Sequence, residues 1–182
     1  MTKPEIGVIG LGNMGRGIAD NFAKAGHKTA VWDVSETARA PFAIRPDTML
    51  MSPGEIAAAG AMMIYVVPAT PEVESSLEGP DGVFAMTGEG TIIFDLTTSF
   101  PEDTKRVAAR ATEHGIAYLD AAMSGGATGA DAGTLTLMIG GDEGAFEACR
   151  PKLDAIADNI FYLGDVGSGH AMKLIHNMVT HT

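Results

Sequence analysis

The sequence is poor in cysteine: Cys149 is the only one among 182 residues, so no disulfide can form within the chain. Because structural disulfides are typical of oxidising compartments, this composition indicates a reducing environment, and we expect a cytoplasmic protein. Cys149 falls in a stretch with helical spacing at 142–157, where a small buried apolar side chain is the expected role.

Basic residues and long apolar runs are also scarce. Lys and Arg number 12 against 23 Asp and Glu, which gives a formal net charge of −11. No cluster of Lys and Arg offers a footprint for a nucleic acid, and no apolar run is long enough for a membrane span or a signal peptide. We therefore expect no nucleic-acid, membrane or metal partner. An anionic substrate would need local positive groups at its site.

Apolar runs alternate with amphipathic stretches along the chain. The apolar runs predict strands at 6–9, 29–32, 61–67, 91–94, 117–119, 134–139 and 160–163, and helical spacing predicts helices at 13–25, 101–113, 142–157 and 168–182. Strands separated by helices pair in parallel, and strands that are apolar throughout lie in a sheet covered on both faces. The pattern predicts an α/β fold over residues 1–164 with a doubly wound, mostly parallel sheet.

The first predicted strand leads directly into a G-x-G-x-x-G motif, Gly10 to Gly15. In this context Gly10 permits a tight turn, Gly12 lets the backbone approach a pyrophosphate, and Gly15 lets the helix pack close to the strand. The helix N-terminus adds free N–H groups and a positive dipole end. The motif predicts a Rossmann dinucleotide site, with a glycine-rich turn that binds nothing as the alternative.

An acidic residue, Asp33, ends the second predicted strand 23 residues after Gly10. This is near the spacing of the acid that binds a ribose 2′-hydroxyl. Its carboxylate would repel a 2′-phosphate, and Val34 and Ser35 follow it instead of an arginine, so we expect NAD, with NADP less favoured. The alternative is that Asp33 caps the next helix. The loops 67–70 and 95–99 follow further strands and either line the cofactor or form ordinary turns.

Two more clusters carry chemistry. Ser124, Gly125 and Gly126 present successive N–H groups and a hydroxyl, which suit a carboxylate, unless they form only a flexible glycine loop. Lys173 and Asn177 share one face if the chain is helical from 168 onward. A partly buried lysine beside a substrate serves as a general acid/base or polarises an oxygen, whereas a solvated helix lysine is the plainer alternative.

Four motifs, in order, resemble the β-hydroxyacid dehydrogenase family, which includes 3-hydroxyisobutyrate dehydrogenases and tartronate semialdehyde reductases. They are VIGLGNMG at the front, VVPATPEVE after the strand at 61–67, DAAMSGGATGADAGTL in the middle and GSGHAMKLIHN at the end. The resemblance covers essentially the whole chain. It implies an NAD-dependent enzyme that acts on a small 3-hydroxy acid, of the 3-hydroxyisobutyrate or tartronate-semialdehyde kind.

The resemblance also implies roles for single residues. Lys173 would donate or accept the proton at the substrate oxygen, and Asn177 would hold the substrate beside it. Ser124, Gly125 and Gly126 would bind the substrate carboxylate. The cofactor would be lined by Leu11, Gly12, Asn13, Met14, Asp33, Val67, Pro68 and Thr98.

The sequence departs from the family pattern in three respects. Ala122 and Met123 stand where Pro-Val is usual, which should alter loop stiffness more than chemistry. His176 stands where asparagine is usual, so that Lys-x-x-His-Asn is similar to 6-phosphogluconate dehydrogenases, although those have glutamate at the position of Thr180. Family members also continue into an all-helical second domain that closes the site and builds the dimer, so 165–182 is expected to begin an interdomain helix.

Two alternative functions follow from these departures. The His176–Asn177 pair favours a decarboxylating dehydrogenase of the 6-phosphogluconate kind. The short chain favours a non-catalytic dinucleotide-binding module, because a lone Rossmann half leaves its site open to water. A homodimer or homotetramer is expected when the protein is complete, since the last helix has an apolar face that a partner would cover.

Overall fold

The computed structural model describes residues 3–180. It contains an eight-stranded sheet in the order β3-β2-β1-β4-β5-β6-β7-β8. The strands are β1 (Ile6–Ile9), β2 (Thr29–Trp32), β3 (Thr48–Leu50), β4 (Met62–Tyr65), β5 (Ile92–Asp95), β6 (Ala117–Ser124), β7 (Leu135–Gly140) and β8 (Ala157–Tyr162). The helices are α1 (Gly15–Lys24), α2 (Glu36–Ala43), α3 (Pro53–Ala58), α4 (Thr70–Leu77), α5 (Val83–Met86), α6 (Pro101–Glu113), α7 (Gly126–Ala132), α8 (Glu143–Leu153) and α9 (Ser168–Thr180).

The strand order reverses around β1, which pairs in parallel with β2 on one side and with β4 on the other. In open α/β sheets, such a switch point leaves a crevice outside the carboxyl ends of the strands, and ligands bind there. The predicted doubly wound, mostly parallel Rossmann sheet is confirmed.

One pair of strands, β6 and β7, is antiparallel. The residues between them, 125–134, hold the short helix α7 and are too few for a crossover, which takes a dozen or more residues. The chain therefore turns back at the edge where β6 ends. β8 then pairs in parallel with β7, after a longer connection that contains α8.

The core lies on both faces of the sheet, as the apolar strands predicted. Alternate residues of one strand enter different clusters: Ile6 and Val8 of β1 pack on one face, whereas Ile9 packs on the other. Cys149 is 4% exposed within the first cluster, which confirms its predicted role as a buried apolar residue. Within residues 3–180, no helix combines the length and hydropathy needed to cross a bilayer.

The predicted bounds of β1, β2 and α6 are the observed ones. For β4, β5, β7 and β8 the predicted ends lie within three residues of the observed ends. The strand predicted at 117–119 continues to Ser124 because its small apolar residues keep pairing with β7. The helix predicted at 142–157 ends at Leu153, since the chain from Ala157 enters the sheet. The helix predicted at 13–25 begins at Gly15, and that predicted at 168–182 is observed to Thr180, beyond which two residues lie outside the described part.

The prediction missed β3 and the short helices α2, α3, α4, α5 and α7. Each spans at most eight residues, which is too short for a helical or alternating pattern to stand out. One of them did carry a local signal: Ser52 and Glu55 form a reciprocal capping box at the start of α3.

Helices α1 and α7 cross in close contact. A Cβ at Gly17 of α1 would lie 2.8 Å from the carbonyl carbon of Ala130 in α7 and 2.5 Å from Asp131 Oδ1. The side-chain amide of Asn21 donates to the carbonyl oxygen of Ala130 at 2.7 Å. The helix that follows the glycine-rich motif is thus tied to the helix that follows Ser124-Gly125.

We expect Gly17→Ala to destabilise the protein by about 1–3 kcal/mol through overpacking of this crossing, even though alanine favours a helix over glycine by up to ~1 kcal/mol. Urea unfolding measures the difference. Gly144→Ala is the matched control in α8, where an added Cβ meets only Asp142 Oδ1 at 3.3 Å. Equal stability of the Gly17→Ala variant and the parent would contradict the tight crossing.

Candidate functional site

A cleft of about 910 Å³ opens at the carboxyl ends of β1, β2 and β4. This is the crevice expected at the switch point, and its volume lies near the upper end of the range for small-molecule sites. Seven of the residues predicted to surround a dinucleotide line it: Gly10, Gly12, Asn13, Met14, Asp33, Val67 and Pro68.

The glycine-rich turn has the geometry that its motif requires. Gly10 has a φ of +97°, and a Cβ there would overlap the carbonyl oxygen of Val66. A Cβ at Gly15 would overlap the carbonyl oxygen of Gly10, so α1 starts against the end of β1. A Cβ at Gly12 meets nothing within 4 Å and projects into open space. The turn therefore leaves room for a phosphate beside the N-terminus of α1.

Asp33 ties the end of β2 to the glycine-rich turn. Its Oδ2 accepts a hydrogen bond from the Leu11 N–H at 2.6 Å, and its Oδ1 accepts one from the Ser35 N–H at 2.8 Å. Each carboxylate oxygen keeps a lone pair for a ribose hydroxyl. Ser35, not Asp33, caps α2, since its hydroxyl accepts from the Ala38 N–H. The Leu11 side chain is 1% exposed and belongs to the core.

One aromatic and several acidic side chains are among the other residues of the cleft wall. The guanidinium carbon of Arg39 lies 4.3 Å from the ring centroid of Trp32, which lines the cleft next to Asp33. Glu72, Glu78 and Asp81 also line the cleft, and among the described residues that line it none is Lys or Arg. The charged side chains that line the cleft are therefore all acidic.

A chain of buried hydroxyl groups connects the loops after β4 and β5. Thr70 donates to Ser99 at 2.9 Å, Ser99 is 2.9 Å from the Thr97 hydroxyl, and the Thr97 N–H donates to Asp95 at 3.0 Å. Thr98, between two buried neighbours, is exposed and stands outside the cleft lining. Hydrogen bonds therefore join these two loops to each other, and neither is an isolated turn.

The stretch after β6 is ordered as a helix start and not as a flexible loop. Ser124 is the half-buried last residue of β6, and Gly125 and Gly126, with φ of +126° and +60°, lead into α7. Both glycines are exposed and follow directly on the end of β6.

Lys173 and Asn177 both lie in α9, and their spacing of four residues places them on one face of this helix. The Lys173 side chain is half-buried, and this burial lowers the pKa of its amine below the ordinary lysine value. Lysine is therefore neutral more often here than in water, as a proton acceptor requires.

The start of α9 is bonded to a buried carboxylate. Asp120, in the middle of β6, is 0% exposed and accepts the Gly167 N–H at 2.6 Å and the His170 N–H at 2.8 Å. Burial raises the pKa of Asp120, while these two hydrogen bonds oppose the rise. A separate buried hydrogen bond joins β6 to β5: the phenol of Tyr118 donates to Asp95 at 2.6 Å. Burial raises the pKa of this phenol well above its ordinary value.

Asp120, His170, Trp32 and Arg39 were missed as site residues at the sequence level. Asp120 begins the motif DAAMSGGATGADAGTL, and a charged residue inside an apolar strand could have identified it. The partners of Asp120 lie 47 and 50 residues away, so no local pattern could identify them. Across the described residues, no group of three His, Cys, Asp or Glu side chains is placed to hold a metal ion.

Known proteins are similar to this chain in sequence and in fold. The family model described as the NAD binding domain of 6-phosphogluconate dehydrogenase matches residues 5–164. The 2-(hydroxymethyl)glutarate dehydrogenase of Eubacterium barkeri is 37% identical over 175 residues, which cover 96% of this chain and 58% of that relative. The 3-hydroxyisobutyrate dehydrogenase of Pseudomonas aeruginosa is 36% identical, over 96% of this chain and 59% of that relative.

A solved structure of Mycobacterium tuberculosis 3-hydroxyisobutyrate dehydrogenase with L-serine superposes with a TM-score of 0.87 at 34% identity. The match covers 98% of this chain and 60% of that chain. The chain thus spans about three fifths of the length of the relatives it matches.

We expect Gly12→Ala to weaken binding of NAD at least tenfold without a loss of stability, because the added methyl group points into the open space of the turn. Isothermal titration calorimetry measures the affinity, and urea unfolding measures the stability. Gly144→Ala, far from the turn in α8, should leave both unchanged. Unaltered affinity in the Gly12→Ala variant would mean that no phosphate approaches this turn.

Proposed function

The chain belongs to the family described as the NAD binding domain of 6-phosphogluconate dehydrogenase, and from this premise we propose that it is the cofactor-binding part of a hydroxy acid dehydrogenase. The proposed reaction transfers a hydride between NAD and a small 3-hydroxy acid. One observation carries the proposal: the half-buried Lys173, with a lowered amine pKa, lies on the helix whose first turn is bonded to β6, the strand that ends at Ser124.

The fit of the cleft to a dinucleotide supports this proposal. The open space at Gly12 and the N-terminus of α1 would take the pyrophosphate, and Asp33 would bind the ribose of the adenosine half. Val67 and Pro68, with Thr98 beyond the cleft lining, are proposed to border the nicotinamide half. NAD, when bound, supplies a hydride acceptor for the carbinol carbon of the substrate.

Lys173 is the proposed general acid/base. In the oxidation direction its neutral amine accepts the proton of the substrate hydroxyl, and in reduction its ammonium returns that proton to the carbonyl oxygen. Asn177, one turn later, holds the same region of the substrate. The Ser124 hydroxyl and the N–H groups of Gly125 and Gly126 are proposed to bind the carboxylate.

NAD is the proposed cofactor in preference to NADP. The Asp33 carboxylate is proposed to bind the ribose and would repel a 2′-phosphate there, and the acidic lining residues would add to the repulsion. Arg39 is a candidate for a phosphate partner, but its guanidinium stacks on Trp32 and it is not among the residues that line the cleft.

The proposed substrate is a short 3-hydroxy acid of the 3-hydroxyisobutyrate or tartronate-semialdehyde kind. The two curated relatives above are named for acids that carry a hydroxyl on the carbon β to a carboxylate. Such a molecule needs one anion site and one proton-transfer group, and β6 with α9 offers both. The cytoplasm is the proposed location, and residues 1–164 and 165–182 are the proposed cofactor domain and interdomain helix.

A decarboxylating reaction on a phosphorylated sugar acid is the second candidate. It is favoured by His176, whose Nδ1 is buried without a hydrogen-bond partner in the described structure, next to Asn177. Turnover of 6-phosphogluconate above that of unphosphorylated acids would place it first. Binding of NAD with no turnover of any acid would favour the non-catalytic module.

A homodimer or homotetramer is the proposed assembly. Ile175, Met178 and Val179 of α9 are 55%, 72% and 73% exposed and lie together at the end of the helix. Apolar side chains in one exposed patch usually mark an interface.

We expect Lys173→Ala to lower the turnover of 3-hydroxy acids by roughly two to four decades, because the variant lacks the proton-transfer group. The protein expressed from its complete gene is assayed with NAD by the absorbance of the reduced nicotinamide, across a panel of short 3-hydroxy acids and 6-phosphogluconate. Lys152→Ala, at the end of α8, is the control that should retain parental rates. Undiminished turnover in Lys173→Ala would remove Lys173 from the reaction.

We expect Asp33→Ser to reduce the preference for NAD over NADP at least tenfold, since the variant loses both a ribose partner and a charge that repels phosphate. Titration of each cofactor gives the two dissociation constants. Asp81→Ser, at the far wall of the same cleft, is the control for a general change in charge. An unchanged ratio in Asp33→Ser would show that the ribose lies elsewhere.

A further inference from the structure

Helix α9 is buried most deeply at its first turn. Gly169 and His170 are its buried residues, whereas the side chains farther along are half-buried or exposed. Lys173 follows His170 by three residues and therefore lies one turn beyond the attachment. Its position depends on how rigidly that first turn is fixed.

Two hydrogen bonds from backbone N–H groups to one carboxylate fix the turn. Asp120 Oδ1 accepts the Gly167 N–H and Asp120 Oδ2 accepts the His170 N–H, so each oxygen of the buried group holds one end of the turn. N–H groups at a helix start lack partners within the helix, and a carboxylate is a strong acceptor for them.

Glycines allow the turn to lie directly on the sheet. A Cβ at Gly169 would overlap the carbonyl oxygen of Met138 in β7, and one at Gly140 would lie 3.0 Å from both Asp120 Oδ1 and the Ser168 nitrogen. No side chain separates the helix from β6 and β7 at this point.

The His170 side chain adds attachments to two other elements. Its Nδ1 lies 2.7 Å from the Thr104 hydroxyl in α6, and its Nε2 donates to the carbonyl oxygen of Asp95 at 3.3 Å. The ring is 0% exposed and is bonded at both nitrogens. The first turn of α9 is thus bonded to β5, β6 and α6 together.

We infer that Asp120 and His170 are positioning residues for Lys173. The inference rests on the proposed function, in which Lys173 transfers the proton. Because Ser124 ends the same strand that contains Asp120, β6 sets the distance between the proposed carboxylate site and the lysine. A displacement of about 1 Å between reacting groups costs up to about 10²-fold in rate.

The test compares Asp120→Asn with Asp142→Asn. In the first variant the amide accepts one N–H and turns its own NH₂ toward the other, so one attachment is lost. In the second, Asp142 caps α8 by accepting the Ala145 N–H at 2.7 Å, and asparagine caps a helix equally well. Thr104→Val, which removes the hydroxyl bonded to His170, tests the same attachment if Asp120→Asn fails to fold.

The readouts are kcat, the NAD dissociation constant and the pKa of Lys173. The last is obtained by NMR titration of the ¹³C-methylated amine, assigned by its absence in Lys173→Ala. For Asp120→Asn and Thr104→Val we expect kcat to fall about 10- to 100-fold. NAD affinity should stay within about twofold of the parent, and the pKa of Lys173 should rise toward the ordinary lysine value as its burial loosens. Asp142→Asn should match the parent in all three.

The outcomes separate this inference from the proposed function. Full activity of Lys173→Ala would overturn the proposed function, and the Lys173 titration would still decide whether Asp120 and His170 position the amine. Loss of activity in Lys173→Ala, with Asp120→Asn and Thr104→Val equal to the parent in kcat and in the pKa of Lys173, would overturn the inference alone. Equal losses in Asp142→Asn would show a general effect on stability and would also overturn it.

Discussion

Direct contact between backbones, at positions where no side chain fits, is the constraint on which the site depends. At Gly15 the start of α1 lies against the Gly10 carbonyl, at Gly17 the same helix lies against α7, and at Gly169 α9 lies against β7. Close-packed interiors transmit small displacements instead of absorbing them. The glycine-rich turn, the end of α7 and the start of α9 are therefore placed with little freedom.

The two halves of the site are held by different physics. On the cofactor side, Asp33 is partly exposed and bonds to two N–H groups, so it is available to a ligand as well as to the protein. On the substrate side, Asp120 is fully buried, and a buried charge is tolerated only when hydrogen bonds satisfy it. The first carboxylate is the one proposed to recognise a ligand, whereas the second is bonded to the start of a helix.

Local patterns predicted the parts of this molecule that local forces determine. The bounds of β1 and β2 followed from apolar runs, those of α6 followed from helical spacing, and the glycine-rich turn followed from its motif. The reversal of β7 could not be predicted from alternation of strands and helices, since it depends on a connection that is too short for a crossover. The bonds of Asp120 and the stacking of Arg39 on Trp32 require the folded chain.

The segments that meet at this site come from distant parts of the chain. The hydrogen bond between Asp33 and the glycine-rich turn closes a loop of 22 residues. The hydrogen bonds of Asp120 to the start of α9 close loops of 47 and 50 residues, and the hydrogen bond between Asn21 and α7 closes a loop of 109 residues. Loop-closure entropy grows only with the logarithm of length, by about 0.6 kcal/mol per doubling, so the longest of these ties costs roughly 1–2 kcal/mol more than the shortest. Insertions in the surface connections between these segments would accordingly alter the free energy of folding little, provided that the glycine contacts themselves are kept.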